Sequence, residues 1–365
     1  MKVLISGAAG FIGSHAAVTF LNKGATVIAF DNLSRLGSVE NLAWIKSQGG
    51  PFRFSYVDIR HAGDVERVFE AHADADAILH MAAQVAVTTS VKDPRHDFEV
   101  NALGTFNVLE ATRKFCSRAA FIYASTNKVY GSLDGAEVVE RDGRYAYASR
   151  ADGIAEDCPL DLHSPYGCSK GAADQYVRDY HRIYGLRSVV FRQSCIYGTR
   201  QFGIEDQGWI AWFTIATLTG QPMTIYGDGK QVRDVLWVDD LVSLYIRAIE
   251  RIDTAAGQIY NVGGGPRNTL SLIELVHILR CGTNQRIDPA RADWRPGDQQ
   301  IFIADISKAA RDFGWAPRVA PQEGVRHLIE WVQREKLLVS DIIRSTAPAF
   351  APAPRDFREA AGARI

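Results

Sequence analysis

The chain has 365 residues, of which 47% are hydrophobic and 23% charged, and this balance predicts a globular protein with a sizeable core. Its formal net charge of −1 gives no electrostatic reason to expect nucleic acid or a membrane surface as a partner. Irregularly spaced cysteines, the lack of an apolar run of ~20 residues and the lack of a leader pattern predict a cytoplasmic protein without disulfides or a bound metal.

Short β-rich runs alternate with helical stretches through the first two-thirds of the chain. The sequence predicts strands at 2–6, 26–31, 52–58, 77–80, 119–124 and 188–192. Helices are predicted between them at 14–23, 39–47, 65–72, 98–115 and 169–184. This alternation is typical of an α/β protein with a Rossmann-type, doubly wound parallel sheet.

The alternation becomes less regular after about Gly198. Helices are predicted at 208–218, 239–251, 271–280 and 323–335, with short strands at 223–226 and 259–262. We interpret residues 1–198 as the Rossmann domain, to which some later segments return, and 199–338 as mainly a smaller α/β substrate-binding lobe. The segment APAFAPAPR predicts a flexible tail over residues 339–365.

A glycine-rich loop, GAAGFIG, joins the first predicted strand to the first helix. Gly7, Gly10 and Gly13 there allow a tight turn, close approach of a pyrophosphate and close helix packing, which predicts a dinucleotide site. Asp31 ends the second strand, where a carboxylate accepts the ribose hydroxyls of NAD and repels the 2′-phosphate of NADP. Arg35 lies near enough in sequence to offset that repulsion, but the acidic residue favours NAD.

Candidate catalytic side chains follow a later strand and begin a later helix. Tyr166 and Lys170 are four residues apart and therefore share one helical face, where the ammonium favours the phenolate. Ser125 and Thr126 supply hydroxyls at the carboxyl end of a predicted strand, which is the edge of an open α/β sheet that binds ligands. A tyrosine and a lysine at this spacing are common by themselves, and the neighbouring hydroxyls strengthen the prediction.

Together these motifs, with HMAAQVAV, Asn101, STNKVYG and YGCSK, resemble the extended short-chain dehydrogenase/reductase family of NAD-dependent epimerases and dehydratases over residues 1–335. STNKVYG, HSPYGCSKGAADQYV, RQSCIYGTRQFGIEDQGW and GDGKQVRDVLWVDD are most similar to members that invert carbon 2 of a CDP-linked deoxyhexose. The resemblance implies a nucleotide-sugar substrate, a tightly bound NAD⁺ regenerated in each turnover, and a homodimer or homotetramer.

The resemblance also implies a role for individual residues. Tyr166 is the base, Lys170 lowers its pKa and holds the nicotinamide ribose, and Thr126 hydrogen-bonds the reacting hydroxyl. The cofactor-binding candidates by position are Gly7, Gly10, Phe11, Ile12, Gly13, Asp31, Asn32, Arg35, Asp58, Ile59, Ala82, Gln84, Asn101, Tyr166, Lys170 and Cys195. Asp58 equally suits the N-cap of the next helix.

Two arginines match residues that clamp the pyrophosphate and nucleoside ribose of the substrate in relatives. These are Arg233 and Arg295, and a planar guanidinium suits bidentate phosphate contacts. The alternative is a surface salt bridge with Asp234 or Asp298. Further substrate-side candidates have alternatives too: Thr88 (with Ser90) faces the sugar or caps a helix, and Gln201, Phe202 and Trp209 line the sugar pocket or pack the second lobe.

Two departures from relatives bear on the reaction. Sugar-nucleotide 4,6-dehydratases carry an Asp-Glu pair where this chain has Asn127 and Lys128, which cannot perform that proton transfer at neutral pH. We therefore do not expect dehydration. Residues 131–164 are long relative to the common 4-epimerases, which indicates a lid or a subunit contact.

Three functions are compatible with the sequence. The first is epimerisation at carbon 2 of a CDP-linked deoxyhexose, and the second is a 4-epimerase or 4-ketoreductase of another nucleotide sugar. The third is a non-catalytic NAD-binding sensor or scaffold, against which the retention of Thr126, Tyr166 and Lys170 argues. The sequence leaves open the base, whether CDP, UDP or GDP, and the deoxygenation pattern of the sugar.

Overall fold

The computed structural model describes residues 1–295 and 298–345. Its strands are β1 (Lys2–Ser6), β2 (Thr26–Asp31), β3 (Phe52–Tyr56), β4 (Ala77–His80), β5 (Ala120–Thr126), β6 (Val138–Arg141), β7 (Arg144–Tyr147), β8 (Ser188–Gln193), β9 (Cys195–Tyr197), β10 (Thr224–Tyr226), β11 (Val232–Trp237), β12 (Ile259–Val262), β13 (Thr269–Ser271), β14 (Ala290–Ala292) and β15 (Ile301–Phe302). Its helices are α1 (Phe11–Asn22), α2 (Ser38–Ser47), α3 (Ala62–Ala71), α4 (Val87–Lys92), α5 (Pro94–Phe98), α6 (Gly104–Phe115), α7 (Ser164–Tyr184), α8 (Trp209–Thr219), α9 (Val238–Glu250), α10 (Ile252–Ala255), α11 (Leu272–Thr283), α12 (Ser307–Phe313), α13 (Pro321–Arg334) and α14 (Lys336–Ser345).

Seven parallel strands form the central sheet, in the order β12-β8-β5-β4-β1-β2-β3. The order runs outward in both directions from β1 and β4, which creates a crevice at the carboxyl ends of these two strands. Ligands of doubly wound sheets bind in such a crevice. The predicted Rossmann-type α/β fold is confirmed.

Both faces of this sheet are buried, because its strands are apolar at successive positions. Val3 and Ile5 of β1 belong to a core shared with α1, α9 and α12. Leu4, between them, belongs to a second core shared with α3, α6 and α7. The late elements α9 and β12 thus pack with the first part of the chain.

A smaller lobe is built around β11, which pairs with β9, β13 and β15. Its apolar core draws on α8, α11 and α13. Helix α14 joins this core through Val339, Ile342 and Ile343, which are all buried. The tail prediction from residue 339 is therefore wrong up to residue 345, because these three side chains lie on one helical face and pack. Residues 346–365 of that prediction lie outside the described residues.

The long segment 131–164 contains a hairpin of β6 and β7 that is bonded to the smaller lobe of the same chain. Arg144 donates to Glu274 at 2.8 Å, and the Tyr145 hydroxyl donates to Asp228 at 2.6 Å. Lys230 and Glu140 form an ion pair at 2.7 Å. The hairpin is therefore tied to its own chain, and the predicted lid or subunit contact stays a prediction.

The predicted helix 98–115 is interrupted by a π-helical turn at Glu99–Leu103 between α5 and α6. A turn of this kind is rare and is found mostly at functional sites. It turns Asn101 into the protein, where the side chain is fully buried. Across the described part of the chain, no helix is both long and apolar enough to traverse a membrane.

Candidate active site

The glycine loop lies between β1 and α1, at the crevice of the sheet. Gly7 has a φ of +68°, and a Cβ there would come 2.5 Å from the amide nitrogen of Ala82. A Cβ on Gly13 would come 2.1 Å from the carbonyl oxygen of Gly7, so both positions require glycine. No side chain caps α1 at Gly10, which leaves the first N–H groups of the helix open to an anion. This arrangement fits the pyrophosphate of a dinucleotide.

Asp31 at the end of β2 is hydrogen-bonded to the glycine loop. Its carboxylate accepts the N–H of Ala9 at 3.0 Å and that of Leu33 at 2.7 Å. Burial raises the pKa of Asp31, and these N–H groups oppose that rise. Arg35 hydrogen-bonds Gln207 across the site, and so it bridges to the smaller lobe.

Asp58 does not cap α3, whose N-cap is His61, so the capping alternative is wrong. Instead Asp58 accepts hydrogen bonds from Arg60, at 2.8 Å for the guanidinium, and from Asn32 at 3.1 Å. The bonds from Arg60 hold the pKa of Asp58 well below its usual range. Ile59 is buried beside it against Gly104. The cofactor-binding candidates Asp58, Ile59 and Asn32 therefore lie together.

A buried polar network holds the segment after β4 against α7. Gln84 N–H donates to the Asn101 side chain at 2.9 Å, and the Gln84 amide donates to Asp97 at 2.7 Å. Asn101 in turn donates to the Gln84 carbonyl at 3.0 Å and to Ser169 at 3.2 Å. Asp97 and Ser169 were not predicted as site residues. Nothing in the local sequence marks Asp97, because its partners come from three separate segments.

Thr126, Tyr166 and Lys170 lie together where β5 ends and α7 begins. All three are buried. The Tyr166 N–H donates to Ser90 at 3.1 Å, and the Lys170 ammonium donates to the Ala124 carbonyl at 2.7 Å. The side chains predicted to be catalytic are thus brought to one place at the ligand-binding edge of the sheet.

Burial is the main influence on the electrostatics of this group. Burial raises the pKa of Tyr166 to about 12, and a hydrogen bond with Thr126 opposes that rise. Burial also lowers the pKa of Lys170 to about 7, because removal from water disfavours the charged ammonium. The predicted role of Lys170 in lowering the pKa of Tyr166 stays a prediction.

His80 at the end of β4 is a structural residue. Its ring nitrogens bond Ser6 at 2.6 Å and Thr105 at 2.9 Å. Burial lowers the pKa of His80 to about 3, so the ring is neutral. It therefore supports the crevice and carries no proton to a ligand.

Arg233 and Arg295 come from two segments of the smaller lobe. Arg233 donates to the carbonyls of Val232 at 2.9 Å and Gln299 at 2.7 Å and forms no ion pair with a described residue. Its alternative as a partner of Asp234 is therefore wrong. Arg295 does form an ion pair, with Asp206 at 3.5 Å, and stacks over the Tyr226 ring at 3.8 Å.

The other substrate-side candidates divide into pocket and core. Thr88 does not cap α4, whose N-cap is Ala86, and its buried hydroxyl has no partner in the described chain. Gln201 likewise has a buried carbonyl oxygen without a described partner. Phe202 instead packs in the core of the smaller lobe, with its ring 5.6 Å from that of Trp331. Thr88 and Gln201 thus each carry a buried polar atom without a described partner, whereas Phe202 is part of the core.

Cys195 was predicted on the cofactor side, and that assignment stays a prediction. The thiol lies beside Trp209, and both Arg233 and Lys128 are close enough to influence its pKa, which burial raises. Cys195 reaches this position because β9 pairs with β11, where Cys195 lies opposite Val235. The sequence alone does not reveal this pairing.

Known proteins are similar to this chain over nearly its whole length. The family described as GDP-mannose 4,6 dehydratase matches residues 4–328. CDP-paratose 2-epimerase of Salmonella typhi is 45% identical over 336 residues, which is 91% of this chain and 99% of that protein. UDP-glucose 4-epimerase of Thermotoga maritima, solved with UDP-glucose, has a TM-score of 0.80 at 31% identity and covers 92% of this chain and 100% of its own.

A dehydratase is similar in structure as well. DesIV, a dTDP-glucose 4,6-dehydratase of Streptomyces venezuelae solved with NAD bound, has a TM-score of 0.80 at 28% identity and covers 94% of this chain and 100% of its own. These matches span the glycine loop and the Thr126, Tyr166 and Lys170 group. The chain therefore belongs to the extended short-chain dehydrogenase/reductase family of NAD-dependent epimerases and dehydratases.

Proposed function

We propose that this enzyme is an NAD-dependent epimerase of a nucleotide-linked sugar, and that it inverts carbon 2 of CDP-paratose to give CDP-tyvelose. The observation that carries the proposal is the complete set of Thr126, Tyr166 and Lys170 at the crevice, beside Asn127 and Lys128 instead of an acid pair. The 45% identity to CDP-paratose 2-epimerase supports the carbon that reacts and the base of the nucleotide.

In the proposed reaction Tyr166 takes the proton of the carbon-2 hydroxyl, and Thr126 holds that hydroxyl by a hydrogen bond. NAD⁺, when bound, supplies the hydride acceptor and a positive charge that favours the phenolate. Lys170 holds the cofactor ribose. With the cofactor bound, return of the hydride to the opposite face of carbon 2 would complete the inversion once the keto-sugar has turned, and Tyr166 would return the proton to the oxygen. The two electrons and the proton are restored, so the cofactor is not consumed.

The residues that would hold NAD⁺ are the glycine loop with Phe11 and Ile12, Asp31 with Asn32, and Asp58 with Ile59. Ala82, Gln84 and Asn101 line the middle of the crevice, and their polar atoms are engaged within the protein. We propose that these three act by fixing the conformation of the segment after β4. Thr88, Gln201, Arg233 and Arg295 are the proposed substrate contacts, because Thr88 and Gln201 each have a buried polar atom without a described partner and the two arginines match phosphate-clamping positions of relatives.

Proton NMR of CDP-paratose incubated with the enzyme in heavy water, without added NAD, tests the proposal. We expect the carbon-2 epimer to appear without deuterium at carbon 2, because the hydride returns to the carbon that lost it. Deuterium uptake at carbon 2 would refute the hydride mechanism. No conversion by the folded enzyme supplied with NAD would refute the substrate, and conversion of UDP-glucose would then identify a 4-epimerase.

We also propose a homodimer formed through α6 and α7. Phe106 and Tyr176 form an edge-to-face pair at 6.0 Å, yet both remain substantially exposed. Phe98, Leu103, Ile183 and Tyr184 extend this exposed apolar patch. Sedimentation of the wild type should give a dimer mass, and Tyr176→Arg should give a monomer, whereas Val39→Arg on α2 should leave the dimer intact. A monomeric wild type would refute the proposal.

A further inference from the structure

Lys128 is a cation that has no partner among the described residues, and it lies two residues after Thr126. It lies in the 3₁₀ turn Asn127–Tyr130 that directly follows β5. Its side chain is partly buried, and its ammonium makes no hydrogen bond or ion pair with any described residue. A partly buried lysine without a counter-charge is unfavourable, which points to an anionic ligand at this position.

The backbone of Lys128 is held next to the catalytic group. Its N–H donates to the Thr126 hydroxyl oxygen at 3.2 Å. A Cβ on Gly167, the residue after Tyr166, would come 3.3 Å from the Lys128 carbonyl oxygen, so α7 begins in contact with this turn. Lys128 therefore has a defined position beside Thr126 and Tyr166.

The charges around the ammonium come from three other segments. Arg233 on β11 is close enough to lower the pKa of Lys128, and Asp298 and Cys195 oppose that effect. Among the described residues neither Lys128 nor Arg233 forms an ion pair, with Asp298 or with any other carboxylate. A phosphate placed between Lys128 and Arg233 would relieve their repulsion.

The position of such a phosphate decides which sugar carbon reaches Tyr166. The phosphate is bonded to carbon 1 of the sugar, and carbon 2 is the neighbour of carbon 1, whereas carbon 4 lies across the ring. A sugar that reacts at carbon 2 must therefore hold its phosphate closer to the reacting groups than a sugar that reacts at carbon 4. Arg233 belongs to the smaller lobe, while Lys128 is only two residues from Thr126.

We propose that the Lys128 ammonium binds the sugar-bearing phosphate of the substrate and thereby positions carbon 2, and not carbon 4, at Tyr166. This inference rests on the proposed function. Lys128 positions the sugar by holding its phosphate, and it takes no part in proton or hydride transfer. A lysine suits the role because its compact charge fits beside Arg233, which supplies the planar guanidinium.

Binding of CDP and CMP to Lys128→Met tests the contact, because CMP lacks the phosphate that carries the sugar. We expect Lys128→Met to raise the Kd of CDP about tenfold or more, which is the effect of one charge-assisted hydrogen bond. The Kd of CMP should not change. Lys128→Arg should recover part of the CDP affinity, and Lys46→Met, on the exposed face of α2, should change neither value.

Turnover supplies the second readout. Lys128→Met should lower kcat for carbon-2 epimerisation as well as weaken substrate binding, while bound NAD and CMP affinity stay at wild-type levels. Equal changes in the Kd of CDP and CMP, or no change in either, would overturn the inference. If the wild type does not convert CDP-paratose, the proposed function fails, and the phosphate contact is then tested on whichever pair, UDP and UMP or GDP and GMP, the enzyme binds. A wild type without preference for any diphosphate would overturn the contact also.

Discussion

The two halves of the site are built in different ways. The proposed cofactor half lies at the ends of neighbouring strands of one sheet. Gly13 packs closely against the Gly7 carbonyl, and the Asp31 carboxylate accepts the N–H of Ala9 in the same loop. The groups proposed for the substrate half come from separate parts of the chain, with Lys128 after β5 and Arg233 on β11. The cofactor half therefore depends on a local motif, and the substrate half depends on how the smaller lobe packs over the sheet.

Tyr166→Phe should have the largest effect, because it removes the proton acceptor at the junction of the two halves. We expect kcat to fall about a thousandfold, within the range of general acid–base catalysis. Bound NAD and CDP affinity should be retained. Stopped-assay kinetics measure the effect, with Tyr56→Phe on the exposed end of β3 as control. Near-normal turnover of Tyr166→Phe would show that another group is the base.

Arg233→Ala should weaken substrate binding without weakening cofactor binding, because Arg233 belongs to the proposed substrate half alone. We expect the KM for the nucleotide sugar to rise about thirtyfold, as for loss of a charge-assisted phosphate contact. The amount of NAD that copurifies should be unchanged, and Arg286→Ala, an exposed arginine of the same lobe, should behave as wild type. An unchanged KM would place the phosphate contact elsewhere.

Val339→Ala tests whether α14 belongs to the substrate half. Val339 is fully buried, so removing its methyl groups should lower the free energy of unfolding by about 2 kcal/mol. Leu337, on the same helix, is 84% exposed, and Leu337→Ala should have almost no effect. Denaturant unfolding measures both. Equal stability of the two variants would show that α14 does not pack on the lobe in solution.

The pH dependence of CDP binding is the smallest expected effect. Burial and Arg233 lower the pKa of Lys128 to about 8, while Asp298 and Cys195 oppose this. The ammonium is charged below that value, so affinity should be constant at lower pH and fall up to about tenfold as pH rises above 8. Bound phosphate raises the pKa of Lys128 and so favours proton uptake on binding. Calorimetry at several pH values should show this fall in the wild type and not in Lys128→Met.

Elements that depend on local pattern were predicted well from the sequence. β1, β2, β4 and β12 have the predicted bounds, since each is an apolar run between turn residues. The π-helical turn at Glu99–Leu103 was not predicted, because its sequence is compatible with a continuous α-helix and only the bonds of Asn101 to Gln84 and Ser169 favour the wider turn. α14 was not predicted, because its short apolar face is stabilised only by packing on the smaller lobe.

The sequence by itself determined the Rossmann-type sheet, the glycine loop with Asp31, and the Tyr166 and Lys170 pair, because periodicity and short spacings encode local geometry. Only the tertiary structure decided that Ser169 hydrogen-bonds Asp97 and that Arg295 forms an ion pair with Asp206. It also decided that Cys195 and Lys128 lie close enough to Arg233 for their charges to interact. These relations join residues far apart in the chain, and long-range packing, which leaves no periodic signal, brings them together.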